Sequence, residues 1–173
     1  RIAEIEFSCV RAVAAMERNG ILLDLPRWQT LVAQTEAERD AALEALYPYT
    51  GPPLAQTTLW GEDQVYGFNL DSNTYVLSLL QRNGIHVQGT SKFDLYPYRD
   101  HPLVQAFSRY RKAAKALSSF LHPLPAMIHP STGRLHPHYG QISAYSGRMS
   151  CANPNIQQIP RGKADRARFI APP

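Results

Sequence analysis

The chain has 173 residues, 44% of them hydrophobic, and is therefore long and apolar enough to fold around a core. It contains no run of about 18 apolar residues, which excludes a membrane span. Two cysteines cannot form a disulfide framework, and no secretory signal begins the chain, so a cytoplasmic location is expected. The net charge of +4 conceals an asymmetry: residues 1–99 are net acidic, and residues 100–173 are strongly basic.

Three helices are predicted in the first half of the chain. The first covers residues 3–19, and the second follows Asp24 and runs to about residue 46. A cap at residues 71–73 begins the third, which ends after residue 82. Residues 47–67 are rich in proline and glycine and are expected to be irregular. The apolar face expected for the first helix consists of Ile5, Val10, Val13, Ala14 and Met16.

The second half begins with helices and ends with strands. Residues 85–101 predict only short helical pieces, whereas residues 102–121 have the regular apolar spacing of a helix with one buried face. Residues 134–145 and 166–171 are expected to be strands, with a structured loop over 146–160 between them. This order predicts a mainly helical α+β fold.

Cations and hydroxyl groups lie together on the long predicted helix. Arg111 and Lys115 are four residues apart and share a helix face, with Lys112 and Ser118 nearby. Such a face suits phosphate oxygens, and residues 100–173 hold 10 basic but only 2 acidic side chains. The alternative is an ordinary solvated helix face.

A second cluster of donors occupies residues 146–160, which contain no acidic residue. Its arginine, asparagines and glutamines can donate to the N3 and O2 acceptors of the DNA minor groove. Those acceptors occur on every base pair, so such contacts recognise pair geometry rather than sequence. The alternative is a turn-rich connector whose amides bond to its own backbone.

Two further patterns are weaker. His136 and His138 lie on one face of an extended segment, but two histidines without a third ligand are a poor metal site. Five tyrosines can in principle stack on bases, although packing in the core or in turns is the favoured interpretation. They are Tyr47, Tyr49, Tyr66, Tyr96 and Tyr98.

Four segments in the last third of the chain have a distinctive order and spacing. They are Gly133-Arg134-Leu135-His136, Ser146-Gly147-Arg148-Met149-Ser150, Pro154-Asn155-Ile156-Gln157-Gln158-Ile159-Pro160 and Phe169-Ile170-Ala171-Pro172. Together they resemble the family A DNA polymerases of the bacterial polymerase I type. The family pattern is T-G-R-L-S-S-x-x-P-N-L-Q-N-I-P followed by F-I-A-P. The resemblance is strong over about residues 131–172, fair over 101–125 and weak elsewhere, and residues 50–66 match nothing in the pattern.

The resemblance implies a helical thumb over residues 1–125 and the first strands and loop of the palm over 126–173. Arg148 would contact the minor groove at the primer-terminal base pair, with Asn155 and Gln157 nearby. Arg111 and Lys115 would hold the duplex backbone. The supporting DNA contacts implied by the resemblance come from Ser146, Ser150 and Asn153.

The resemblance also implies chemistry outside these residues. A parent enzyme would extend a primer with dNTPs and Mg²⁺, in replication and repair, as a DNA-directed nucleotidyltransferase. The family places its first metal carboxylate in a D-Y-S-x-I-E motif after F-I-A-P, and this motif is absent from the 173 residues. We therefore expect a fragment that binds no metal and is inactive alone.

Several departures and alternatives accompany this interpretation. Gln158 and Met149 replace the usual Asn and Leu, and the segment 86–100 is short and lacks the family's lysines, which predicts a weaker grip on duplex DNA. Palm strands without partners are expected to allow a non-native dimer.

Two alternatives to a polymerase fragment stay open. They are a non-enzymatic nucleic-acid-binding or interaction module derived from a polymerase thumb, and a helical scaffold with an incidental basic half.

Overall fold

The computed structural model describes residues 2–51, 54–57, 63–66, 68–141, 143, 145–159 and 166–170. The chain forms two compact units. The split unit combines Arg1–Gln34 with Ala116–Pro173, and the continuous unit is Thr35–Lys115. The predicted thumb and palm boundary at residue 125 stays a prediction. In the described ranges, no helix combines the length and the apolar character needed to cross a membrane.

Short helices and strands follow one another along the chain. In order they are α1 (Ile2–Asn19), β1 (Leu22–Leu23), α2 (Leu25–Glu44), α3 (Tyr47–Thr50), β2 (Leu54–Thr57), β3 (Asp63–Tyr66), α4 (Asn73–Arg82), α5 (Lys92–Leu95), a 3-10 turn (Tyr96–Tyr98), α6 (Pro102–Ala116), a π-helical turn (Leu117–Leu121), α7 (Pro123–Ala126), β4 (His138–Gly140), β5 (Ser150–Ala152), a second 3-10 turn (Ile156–Gln158) and β6 (Phe169–Ile170).

The four predicted helices and the mainly helical α+β fold are confirmed, because local signals dominate at these positions. The Asp24 carboxylate accepts a bond of 3.2 Å from the Arg27 amide at the start of α2. Ser72 caps α4 by accepting from the Tyr75 amide, and the Asn83 side chain donates 2.8 Å to a carbonyl of the last turn. The predicted helix over 102–121 is α6 with its π-helical continuation.

Three expectations were wrong in their detail. Residues 47–67 contain α3 and an antiparallel hairpin of β2 and β3, in the register Leu54↔Tyr66, where the flanking Gly and Pro signals concealed two short strands. The strand expected over 134–145 is reduced to β4, preceded by a single bridge from Leu135 to Ile21. Pro137 lies between them and has no amide proton to donate. The loop expected over 146–160 includes β5 and a 3-10 turn.

The late strands have partners within the chain. β4 pairs with β5, and β6 pairs with β1, both antiparallel. The strand expected over 166–171 was too long at its start, because residues 166–168 form a turn before β6. β1 is only two residues long, so the sequence carries little signal for this strand. The non-native dimer was predicted because the palm strands were expected to lack partners within the chain, and that premise is wrong.

Each unit has its own apolar core. In the continuous unit, Leu46, Leu80, Ile85, Leu103 and Phe107 are at most 2% exposed and pack in one cluster. In the split unit, Trp28 is 1% exposed and packs edge-on against Phe120 and Phe169, while its indole NH donates 2.9 Å to the Leu121 carbonyl. The regular face predicted for the long helix is therefore buried.

The apolar face predicted for α1 is mostly exposed. Val13 is buried beside Tyr139 and Cys151, but Val10 and Met16 are 46% and 49% exposed, and Ala14 is exposed. The side chain of Ile5 lies outside the described residues. Sequence periodicity identifies an apolar face but does not identify what covers it.

Candidate nucleic-acid interface

A groove of about 1090 Å³ lies in the continuous unit, between the segment 90–99 and one side of α6. We call it the basic groove. Six cationic side chains line it, and among the described residues none of the lining side chains is acidic. The six are Lys92, Arg99, Arg109, Arg111, Lys112 and Lys115.

Helical spacing explains why four of these cations share the groove. Residues three or four positions apart project from the same side of a helix, which brings Ser108, Arg111 and Lys115 into line. Arg109 and Lys112, three residues apart, lie beside them. Leu103, Val104 and Phe107 are buried and hold α6 in the core. The helix therefore holds its cations outward on a rigid support.

Arg111 connects α6 to the other wall of the groove. Its guanidinium donates 2.8 Å to the Thr90 carbonyl and 3.3 Å to the Thr90 hydroxyl, and lies 5.6 Å from the ring centroid of Phe107. Thr90 in turn donates 2.7 Å to the Asn73 side chain at the start of α4. Arg111 has five N–H donors, so these contacts leave others for an anion.

The second candidate region is residues 145–159 of the split unit, which we call the Arg148 loop. Ser146 and Arg148 are exposed, and Gly147 between them has φ +70°, a conformation that favours glycine. Ser150 is half-buried in β5 and its hydroxyl donates 3.4 Å to the Gly140 carbonyl. The β4–β5 pairing therefore fixes the backbone immediately after Arg148.

Buried residues anchor the remainder of the Arg148 loop. Cys151, Pro154 and Ile159 are buried, and the Cys151 thiol donates 3.4 Å to the Pro154 carbonyl. Between these anchors, polar side chains face solvent. The exposed ones are Asn153, Asn155, Gln157 and Gln158.

Asn153 is a backbone exception in this loop. Its φ of +49° lies in the left-handed region, which asparagine tolerates better than most residues. The conformation turns the chain between β5 and the second 3-10 turn.

The structure thus separates the predicted DNA contacts into two groups. Arg111 and Lys115 line the basic groove of the continuous unit. The other group belongs to the Arg148 loop of the split unit and consists of Ser146, Arg148, Ser150, Asn153, Asn155 and Gln157. Ser150 differs from the rest because its hydroxyl bonds to the neighbouring strand.

Sequence reasoning missed Lys92, Arg99 and Arg109 as groove residues. The spacing of Arg109 and Lys112 on α6 was an available signal. Lys92 and Arg99 reach the groove only through the tertiary fold, and both come from the segment 86–100, which was expected to lack the family's lysines.

His136 and His138 make separate contacts with Glu17. His136 lies 2.8 Å from the Glu17 carbonyl, and His138 lies 3.0 Å from the Glu17 carboxylate, which also accepts from the Tyr139 amide. Across the described residues, no group of three His, Cys, Asp or Glu side chains is arranged to hold a metal ion. The described residues therefore do not form a Mg²⁺ site.

Comparison with known proteins places this geometry in context. The sequence profile of DNA polymerase family A matches residues 68–173. Thermostable DNA polymerase I of Thermus thermophilus is 32% identical, and that of Thermus aquaticus 33% identical, each over 97% of this chain. The chain spans only 20% of the length of either relative.

A solved structure shares the fold. It is the POL domain of Pol1 from M. smegmatis, in complex with DNA primer-template and dNTP. The match has a TM-score of 0.73 at 24% identity and covers 94% of this chain and 28% of the other.

Proposed function

The chain belongs to DNA polymerase family A, and from this premise we propose that it binds primer–template DNA for template-directed DNA synthesis. In this proposal residues 1–125 are the thumb region and residues 126–173 are the first part of the palm. The activity belongs to a longer polymerase, since the chain corresponds to 20% of its relatives.

The observation that carries the proposal is the charge of the basic groove. Six cations converge on it, and its lining has no carboxylate in the described part of the chain. A charge of one sign concentrated on a rigid helix attracts the closely spaced phosphates of duplex DNA. Arg111 and Lys115 hold the phosphate backbone in this account.

The Arg148 loop supplies the second contact. Phosphate contacts position a duplex, whereas donors at base edges test the geometry of a pair. Arg148, Asn155 and Gln157 are exposed donors on a loop without acids. We assign them to the minor-groove acceptors at the primer terminus, with Ser146 and Asn153 as supporting polar contacts.

Mg²⁺ and dNTP belong to the longer enzyme in this proposal. The present residues offer no metal cluster in the described ranges, so no catalytic step is assigned to them. Their contribution is to hold the duplex and to test the terminal pair.

Fluorescence anisotropy with a recessed primer–template tests the proposal. We expect binding that weakens as salt increases, because phosphate contacts release counterions. Arg148→Ala should lower affinity by about 5- to 100-fold, the range for one base-edge contact. Lys115→Ala should weaken binding and reduce the salt dependence.

Gln29→Ala is the matched control, because Gln29 is an exposed residue of α2 outside both regions. It should leave affinity unchanged. The absence of binding by the wild-type chain at low salt, or equal effects of Gln29→Ala and Arg148→Ala, would contradict the proposal.

A further inference from the structure

Apolar residues of the core lie behind the cations of the basic groove. Leu95, Val104 and Phe107 line it but are only 6%, 2% and 2% exposed, so they support the groove and offer little surface to a ligand. The outside of a DNA duplex presents phosphates and sugars, and its bases are stacked inside. A surface for an unpaired base must therefore come from another side chain of the groove.

Tyr96 adds an open aromatic ring to the same groove. It is 59% exposed, and the guanidinium carbon of Arg99 lies 4.6 Å from its ring centroid. Packing in the core or in a turn was the sequence expectation for this tyrosine, and Tyr96 begins the 3-10 turn Tyr96–Tyr98 with its ring outside the core. Aromatic rings beside cations are typical of sites that bind unpaired bases, because every base offers a flat face for stacking.

We propose that the basic groove binds an unpaired nucleotide of single-stranded DNA. The base stacks with the Tyr96 ring and the Arg99 guanidinium, and Lys92 and Lys112 hold the adjacent phosphates. The inference rests on the proposed function, because the same cations serve both. It adds a preference for unpaired DNA at this groove.

Size and charge both suit this occupant. The groove of about 1090 Å³ slightly exceeds the range of about 300–1,000 Å³ typical of small-molecule sites, so a base and its sugar fit. The nearest acids in sequence have partners of their own. Asp94 accepts from the Ser91 amide at 3.1 Å, and Asp100 lies 3.7 Å from Arg99.

The test compares three labelled probes on the full chain by anisotropy: an oligothymidylate, a blunt duplex of equal length and an abasic strand of equal length. The wild-type chain should bind oligothymidylate more tightly than the abasic strand, which has the phosphates but lacks the bases. Tyr96→Ala should lower oligothymidylate affinity by about 5- to 100-fold and leave duplex and abasic affinities unchanged.

Two variants separate stacking from other effects. Tyr96→Phe retains the ring and should retain oligothymidylate affinity. If Tyr96→Ala does not fold, the wild-type comparison of oligothymidylate with the abasic strand still tests base binding. Phe93→Ala is the matched control, because Phe93 is 89% exposed on α5 but is not among the residues that line the groove. It should leave all three affinities unchanged.

The outcomes distinguish this inference from the proposed function. Duplex binding together with no effect of Tyr96→Ala on oligothymidylate would overturn the inference alone. Tyr96-dependent binding of oligothymidylate without duplex binding would support the inference and overturn the proposed function. Equal losses from Phe93→Ala and Tyr96→Ala, or no binding of any probe, would overturn the inference.

Discussion

The basic groove and the Arg148 loop hold their polar groups in different ways. The groove has six cations, four of them on the regular helix α6, whereas the loop has one arginine among amides. In the proposed function the groove would tolerate small displacements, because phosphate attraction depends weakly on direction. The loop would need exact backbone placement, because a hydrogen bond to a base edge is directional. For the proposed DNA contacts, the number of cations therefore matters most in the basic groove, and backbone geometry matters most in the Arg148 loop.

The largest expected effect concerns the core behind the Arg148 loop. Trp28 packs in the same cluster as Ile159, the buried end of that loop. Trp28→Ala should lower the free energy of unfolding by about 3–5 kcal/mol, the usual cost of removing a buried large aromatic side chain. Urea unfolding measures this loss.

Hydrogen exchange then shows which region loses stability in Trp28→Ala. Trp28→Ala should accelerate amide exchange in the Arg148 loop more than in α6. Equal acceleration in both regions would contradict the assignment of Trp28 to the loop's support.

A smaller effect is expected at the glycine beside Arg148. Gly147 has φ +70° and open space where a Cβ would lie, so Gly147→Ala costs only backbone strain, about 1–2 kcal/mol. The strain should shift Arg148 and lower primer–template affinity. Anisotropy measures the change.

Gly84 provides a matched control in the other unit. It has φ +79° and equally open space, so Gly84→Ala carries the same backbone cost. Its duplex affinity should equal that of the wild type. An affinity loss as large as that of Gly147→Ala would show that general strain, rather than Arg148 placement, is responsible.

The smallest effect is a loss of stability at alkaline pH. Burial raises the pKa of the Tyr139 hydroxyl, and Cys151 and Glu17 raise this pKa further. The unfolded tyrosine, with a pKa of about 10, therefore loses its proton first. The stabilisation is complete below pH of about 10 and decreases as the pH rises through the folded pKa.

Tyr139→Phe should make unfolding free energy less dependent on pH in that range. Tyr110 is the comparison in the continuous unit, since burial and Asp71 raise its pKa while Arg39 lowers it. Urea unfolding at several alkaline pH values measures Tyr139→Phe and, as the comparison, Tyr110→Phe. An unchanged pH dependence for Tyr139→Phe would contradict the assigned shift.

Local signals in the sequence were sufficient for the helices and for part of the site. The Ser72 cap predicted α4, and the spacing of Arg111 and Lys115 placed both on one side of α6. Lys92 and Tyr96 could not be assigned to the groove, because they meet α6 only after folding. The two-residue strands β1 and β6 were equally inaccessible, since their pairing joins residues far apart in the chain.

The most direct test removes one acceptor from the DNA. A primer–template whose terminal guanine is replaced by 3-deazaguanine lacks the minor-groove N3 acceptor but keeps its phosphates. Wild-type and Lys115→Ala chains should each lose about 5- to 100-fold in affinity on this replacement, whereas Arg148→Ala should lose none. An equal loss for Arg148→Ala and the wild type would contradict the account, because Arg148 would then not contact that acceptor.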